Sequence, residues 1–336
     1  MLSLLPFTLY IYGLAFGPAI AAPLSETFGR RFIYLMVTPV ALLFILGAGL
    51  SKNITSLIVC RLLAGIAISS PLAVGAGTIM DVWTGISVTR GVILLMALAF
   101  LGPALGSLLG GWIAEYKDWP WSQWTTLFMG AAVWVFALGA QETYAPVVKR
   151  QKAKKQGYTV PPSSVPPGLA GLRHIVTLTL ARPLVMLVKE PIVLLCSLYS
   201  SLNFSVLFSF LASIPLIYKH DYGFTPGQAG LVFIGIAVGC ALGGTTLVLI
   251  DAHTIRLHVR RSKDDPSPQE RMLWGAIVGG PLMPAALFWF AWTARPGIHW
   301  ISSVLATGLF GFSNILIFVR YPNRSNCHWL PLPFLP

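Results

Sequence analysis

Charge is what this chain has least of. Only 10% of its 336 residues are Asp, Glu, Lys or Arg, against about 25% in a soluble domain. A water-soluble fold of this length has too little polar material here to cover its core. Cysteine is scarce too. Cys60, Cys196, Cys240 and Cys327 show neither metal-ligand spacing nor a disulfide framework, so no metal site is expected. Chemistry-bearing clusters are missing as well. The six histidines are scattered, and no paired carboxylates, Ser/His arrangement or phosphate loop occurs, which argues against an enzyme. The net charge of +12 raises nucleic acid as a partner. The cations, however, lie in short loops between apolar runs and form no single basic face, so no nucleic acid is expected.

What is abundant is apolar sequence, 55% of the chain. A helix needs about 20 apolar residues to cross the hydrocarbon core. Nine runs qualify, at 1–24, 32–51, 55–80, 91–115, 121–141, 191–217, 226–250, 272–292 and 298–319. They lack the alternation of strands, so an all-α, polytopic transmembrane bundle is predicted. If the loop after the first span is cytoplasmic, sixteen Lys/Arg fall inside and four outside. The positive-inside rule therefore fixes the orientation.

One long break, at 144–190, is rich in basic residues and proline and reads as a cytoplasmic linker. It separates a five-helix part, 1–143, from a four-helix part, 191–320. A tail of different character follows at 321–336, with four prolines. Small residues recur at spacing four within several spans: Gly13, Gly17 and Ala21; Gly65, Ser69, Ala73 and Gly77; Gly102, Gly106 and Gly110; Gly235, Gly239 and Gly243. In lipid such rows mark helix contacts.

Several short motifs carry a resemblance. Ala22-Pro23-Leu24-Ser25-Glu26-Thr27-Phe28-Gly29-Arg30-Arg31 closes the first span. Cys60-Arg61-Leu62-Leu63-Ala64-Gly65 lies inside the third. Gly102-Pro103-Ala104-Leu105-Gly106-Ser107-Leu108-Leu109-Gly110-Gly111 lies in the fourth. Glu142-Thr143-Tyr144 leaves the fifth, and Tyr222-Gly223-Phe224-Thr225-Pro226-Gly227-Gln228-Ala229-Gly230-Leu231 enters the seventh. In this order they resemble the major facilitator superfamily, and within it the twelve-span fungal drug:proton antiporters. The nine spans would then be the family's spans two to ten, with the first and the last two absent.

The resemblance implies roles. Glu26, Gly29, Arg30, Arg31, Asp81 and Arg90 would form a charged latch on the cytoplasmic gate. Arg61, with Gly65 on its face, would serve proton coupling or substrate binding. Gly102, Pro103, Gly106, Gly110 and Gly111 would be the antiporter motif. The expected function is proton-coupled export of small amphipathic or toxic compounds by alternating access, at the plasma membrane. The proton gradient is the driving force, with no cofactor, and the partners are a small-molecule substrate and the lipid bilayer. The alternative is a truncated, non-transporting family remnant or an incomplete gene model.

Overall fold

The computed structural model describes residues 5–83, 86–156, 182–260 and 273–318. The proline-rich part of the linker, the loop beyond Arg260 and the tail at 321–336 lie outside the described residues. Among the described residues every regular element is helical. In chain order these are α1 (Leu5–Phe28), α2 (Arg30–Gly49), α3 (Ile54–Val82), α4 (Ile86–Tyr116), α5 (Pro120–Leu138) and α6 (Ala145–Lys155). They continue as α7 (Arg182–Lys189), α8 (Pro191–Asp221), α9 (Pro226–Leu231), α10 (Phe233–Arg260), α11 (Leu273–Thr293) and α12 (Trp300–Phe318).

Over their described residues each of the nine apolar runs is mostly helical. Among the described residues seven helices are long and apolar enough to cross a membrane. The other two runs correspond to α5 and α11. The first turns of α5 carry Ser122, Gln123, Thr125 and Thr126, which lowers its hydropathy. The polar Gln123 side chain is buried, with its Cβ lying beside Gly49 of α2. The apolar stretch of α11, Ile277–Thr293, is shorter than the other spans. Large apolar side chains such as Leu43, Phe136 and Leu249 stand more than 60% exposed, as expected of surfaces solvated by lipid.

The chain forms two compact units. One comprises residues 1–84 and 116–204, the other 85–115 and 205–336. These units are cut differently from the division at the linker, because α4 belongs to the second unit.

In the first unit α1 lies on α3. Gly13 sits over the backbone of Leu62 and Ile66, and Gly17 over Ile66 and Ser69. Helices in lipid gain little from the hydrophobic effect, so this close backbone approach supplies the packing energy. α2 fills the space between α3 and α5, with Leu42, Ile45 and Ala64 buried against Leu127, Ala131 and Trp134. Pro39 breaks the regularity of α2. A proline has no N–H for the carbonyl four residues back, here Leu35. The helix widens to a π-type segment at Ile33–Val37. The released Leu35 carbonyl accepts the Trp134 indole N–H at 3.2 Å, so no backbone acceptor is stranded in the bilayer.

In the second unit α10 crosses α12 along Gly235, Gly239 and Gly243, which meet Val304, Gly308 and Phe312. Gly275 and Gly279 of α11 pack on Leu316 and Ser313 of α12. Phe210, Phe233, Phe290 and Phe310 fill the centre.

α4 departs from the expectation that its glycine row is a contact face. Its packed face is Ile93, Ala97, Phe100 and Ala104. Of the row and its neighbour, Gly111 is in close contact, against Pro226 and Gly230. Among the described residues nothing lies within 4 Å of where a Cβ would stand on Gly102, Gly106 or Gly110. The row at spacing four is regular but points roughly 150° away from the packed side, nearly the opposite face at 3.6 residues per turn.

Candidate functional site

The densest set of charged contacts among the described residues lies where α1, α2, α3 and α5 end together. α1 stops at Phe28 because Gly29 adopts φ 100° and ψ 164°. Only glycine enters that region without strain. The turn restarts the chain at Arg30, whose helix begins with unsatisfied backbone N–H groups. Glu142, four residues beyond the end of α5, supplies the acceptor. Its Oε1 accepts the Arg30 N–H at 2.9 Å and its Oε2 accepts the Arg31 N–H at 3.1 Å. Oε1 also takes the N–H groups of Thr143 at 3.1 Å and Tyr144 at 3.0 Å. A carboxylate at a helix N-terminus gains a further ~0.3–1 kcal/mol from the helix dipole.

The Arg30 side chain completes the knot. Its Nε donates to Asp81 Oδ2 at 3.1 Å, with the two side chains only 14% and 20% exposed. Its Nη1 donates to Ser25 Oγ at 2.6 Å. The guanidinium stands over the Tyr144 ring at 5.1 Å and passes Gly77, where a Cβ would meet Nη2 at 2.7 Å. Charge-assisted hydrogen bonds of this kind contribute about 1.5–3 kcal/mol each. They tie the ends of four helices into one rigid corner.

The expected latch residues are therefore not all gathered. Gly29, Arg30 and Asp81 meet. Arg31 takes part through its backbone, and its side chain is exposed. Glu26 is exposed and has no hydrogen bond or ion pair among the described residues. The buried neighbour on its helix is Ser25. Arg90 lies on α4, in the other unit. Glu142 holds the place expected for Glu26. Sequence reasoning noted it only as the exit from a span. The available signal was an acid standing directly between an apolar run and a basic run.

Arg61 stands on α3 about 10 Å from the helix start, at 1.5 Å per residue. Its guanidinium lies 5.8 Å from the centre of the Tyr10 ring of α1. One turn further, Gly65 lets the Tyr10 carbonyl and Gly13 Cα approach. Arg61 and Gly65 thus face α1.

In the second unit Glu115 plays a part like that of Glu142. Its Oε2 accepts the Thr225 hydroxyl at 3.0 Å and the Gly227 N–H at 2.9 Å. Thr225 and Gln228 form a reciprocal capping box at the start of α9. The end of α4 is thereby pinned to the start of α9, with Gly111 and Gly230 flush between them.

The sequence model of the Major Facilitator Superfamily matches residues 2–325. The chain belongs to that superfamily. It is a multi-pass integral membrane protein, a facilitator-type helix bundle. Its sequence is similar to Polyamine transporter 4 of Saccharomyces cerevisiae, 36% identical over 344 residues, covering 94% of this chain and 52% of that protein. It is similar also to Efflux pump FUB11 of Gibberella moniliformis, 33% identical over 327 residues, covering 95% and 54%. The chain spans about half the length of these relatives. Among solved structures it is similar to the human organic anion transporter MFSD10 (TETRAN). The TM-score is 0.51 at 15% identity, covering 95% of this chain and 70% of that one. That likeness concerns the facilitator fold alone.

Proposed function

We propose that this facilitator chain exports small amphipathic compounds by alternating access, coupled to the proton gradient, at the plasma membrane. The observation that carries the reading is the corner built on Gly29, Arg30, Asp81 and Glu142. Transport by rocking requires helix groups that move as rigid bodies. The corner supplies such rigidity at the basic end, the end that the positive-inside rule assigns to the cytoplasm. Relatives named as an efflux pump and a polyamine transporter support export and a cationic or amphipathic cargo. Arg61 of α3, beside Tyr10 of α1, is the residue proposed for coupling. An intramembrane arginine costs at least ~2.5 kcal/mol and is kept where it has work to do.

The test is efflux of a lipophilic dye or a polyamine from cells stripped of their own exporters. Export that collapses with an uncoupler is the expected result. Export indifferent to the uncoupler overturns proton coupling, and retention equal to that of empty cells overturns the function. Reversing Arg30 or Asp81 alone is expected to reduce export at least tenfold. Reversing both together restores a substantial part, because the 3.1 Å pair re-forms. A double variant no better than either single one overturns the role of the pair.

A further inference from the structure

We infer that α6 and α7 form a docking surface for anionic phospholipid headgroups. Between Thr143 and Lys189 the chain holds eight Lys/Arg and not one acid. Five of the cations are on α6. Lys149, Lys152, Lys154 and Lys155 are exposed, and among the described residues no carboxylate pairs with any of them. Such an uncompensated row repels itself in water and calls for an anionic surface.

Two observations place that surface at the membrane. The first is where α6 starts. Its N-cap is Tyr144, held by Glu142 and stacked under Arg30. Arg30 marks the level at which α1 ends and α2 begins, and Asp81, its partner, the level at which α3 ends. Helix ends of a spanning bundle lie at the headgroup layer, so α6 leaves the bundle within that layer. The second is α7. It carries Val185, Met186 and Val188 exposed, the last by 83%, between Arg182 and Lys189. Through Glu190 it runs directly into α8, itself a span, so it too stands at the surface. A short helix with apolar residues bare and cations at both ends is built to lie in an interface, its apolar side dipping below the phosphates. Lysines of α6 then meet the phosphates and the carboxylates of an anionic leaflet, and α7 meets the acyl boundary.

The experiment uses the whole chain, purified from mixed membranes of phosphatidylcholine and phosphatidylserine, with the retained lipid counted by native mass spectrometry. Wild type is expected to keep phosphatidylserine in excess. Changing Lys149, Lys152, Lys154 and Lys155 to Gln lowers that excess by about fivefold for each charge removed. Changing the same four to Arg leaves it in place, which separates charge from damage to the fold. Raised salt weakens the excess in wild type. Equal retention of the two lipids by wild type overturns the proposal. So does a Gln variant that keeps as much phosphatidylserine as wild type. Displacement by soluble glycerophosphoserine at concentrations comparable to the lipid points to a site for free phosphate and overturns the surface. Tight binding of an RNA homopolymer with no lipid preference overturns it in favour of nucleic acid. The readout is lipid and not transport, so its failure is distinct from failure of the exporter reading.

Discussion

A Gly29→Ala variant is expected to yield little folded protein, and the little that folds melts well below wild type. Two costs coincide at this position. Alanine at φ 100° and ψ 164° bears backbone strain of about 1–3 kcal/mol. Its Cβ also lands on the carboxylate of Glu142. To escape, Glu142 must release N–H groups of Arg30, Arg31, Thr143 and Tyr144. The check is thermal melting of detergent extracts followed by size-exclusion chromatography. Adding Glu142→Ala separates the costs. If the collision dominates, the double variant recovers part of the loss. If strain dominates, it recovers none. Wild-type melting in Gly29→Ala would show that the corner is not as described.

The second large effect is expected at Gly239. A Cβ there falls on the carbonyl of Gly308, with Gly308 C at 2.8 Å and Phe312 N at 3.0 Å. All three are backbone atoms of α12, so no side chain can turn aside. Gly239→Ala therefore forces α10 and α12 apart, an overpacking cost of at least about 1–3 kcal/mol. The separation opens the contact between Cys240 Sγ and the Gly311 carbonyl, now 3.6 Å. Cys240 is 1% exposed and is expected to be inert toward a membrane-permeant thiol reagent in wild type. In the variant it becomes reactive, and the melting temperature falls by several degrees. An inert Cys240 with unchanged melting would overturn this account of the crossing.

What the sequence made legible follows from what each signal encodes. Lipid demands long apolar helices, so hydropathy alone located the nine runs. Loop charge separated basic from neutral ends. Rows of small residues at spacing four correctly marked α1 against α3 and α10 against α12. The same spacing misplaced the contact on α4. Spacing gives the period of a face but not its rotation, and Phe100 and Ala104 occupy the packed side while Gly102 and Gly106 do not. The charged corner was half legible. Gly29-Arg30 announces a turn with a cation after it, and Asp81 is the acid at the end of α3. Glu142 lies 112 residues from Arg30, and no local pattern reveals which distant acid reaches a helix start. Glu26 was the nearer acid in sequence, but it sits one residue around the helix from buried Ser25. The π-type widening of α2 was likewise hidden. Pro39 was visible, but its rescue by Trp134 depends on how α5 lies against α2.

The bare glycine row of α4 makes the protein its own control for conformations other than this one. Methyl groups added at Gly102, Gly106 and Gly110 touch none of the described residues and improve helix propensity by roughly 0.5–1 kcal/mol each. The triple alanine variant is therefore expected to fold and melt at least as well as wild type. Any transport it loses cannot be charged to the arrangement described. Such a loss would be the footprint of a second arrangement in which that face closes against something. Its size, set beside the unchanged melting, would measure how tightly that unseen partner fits.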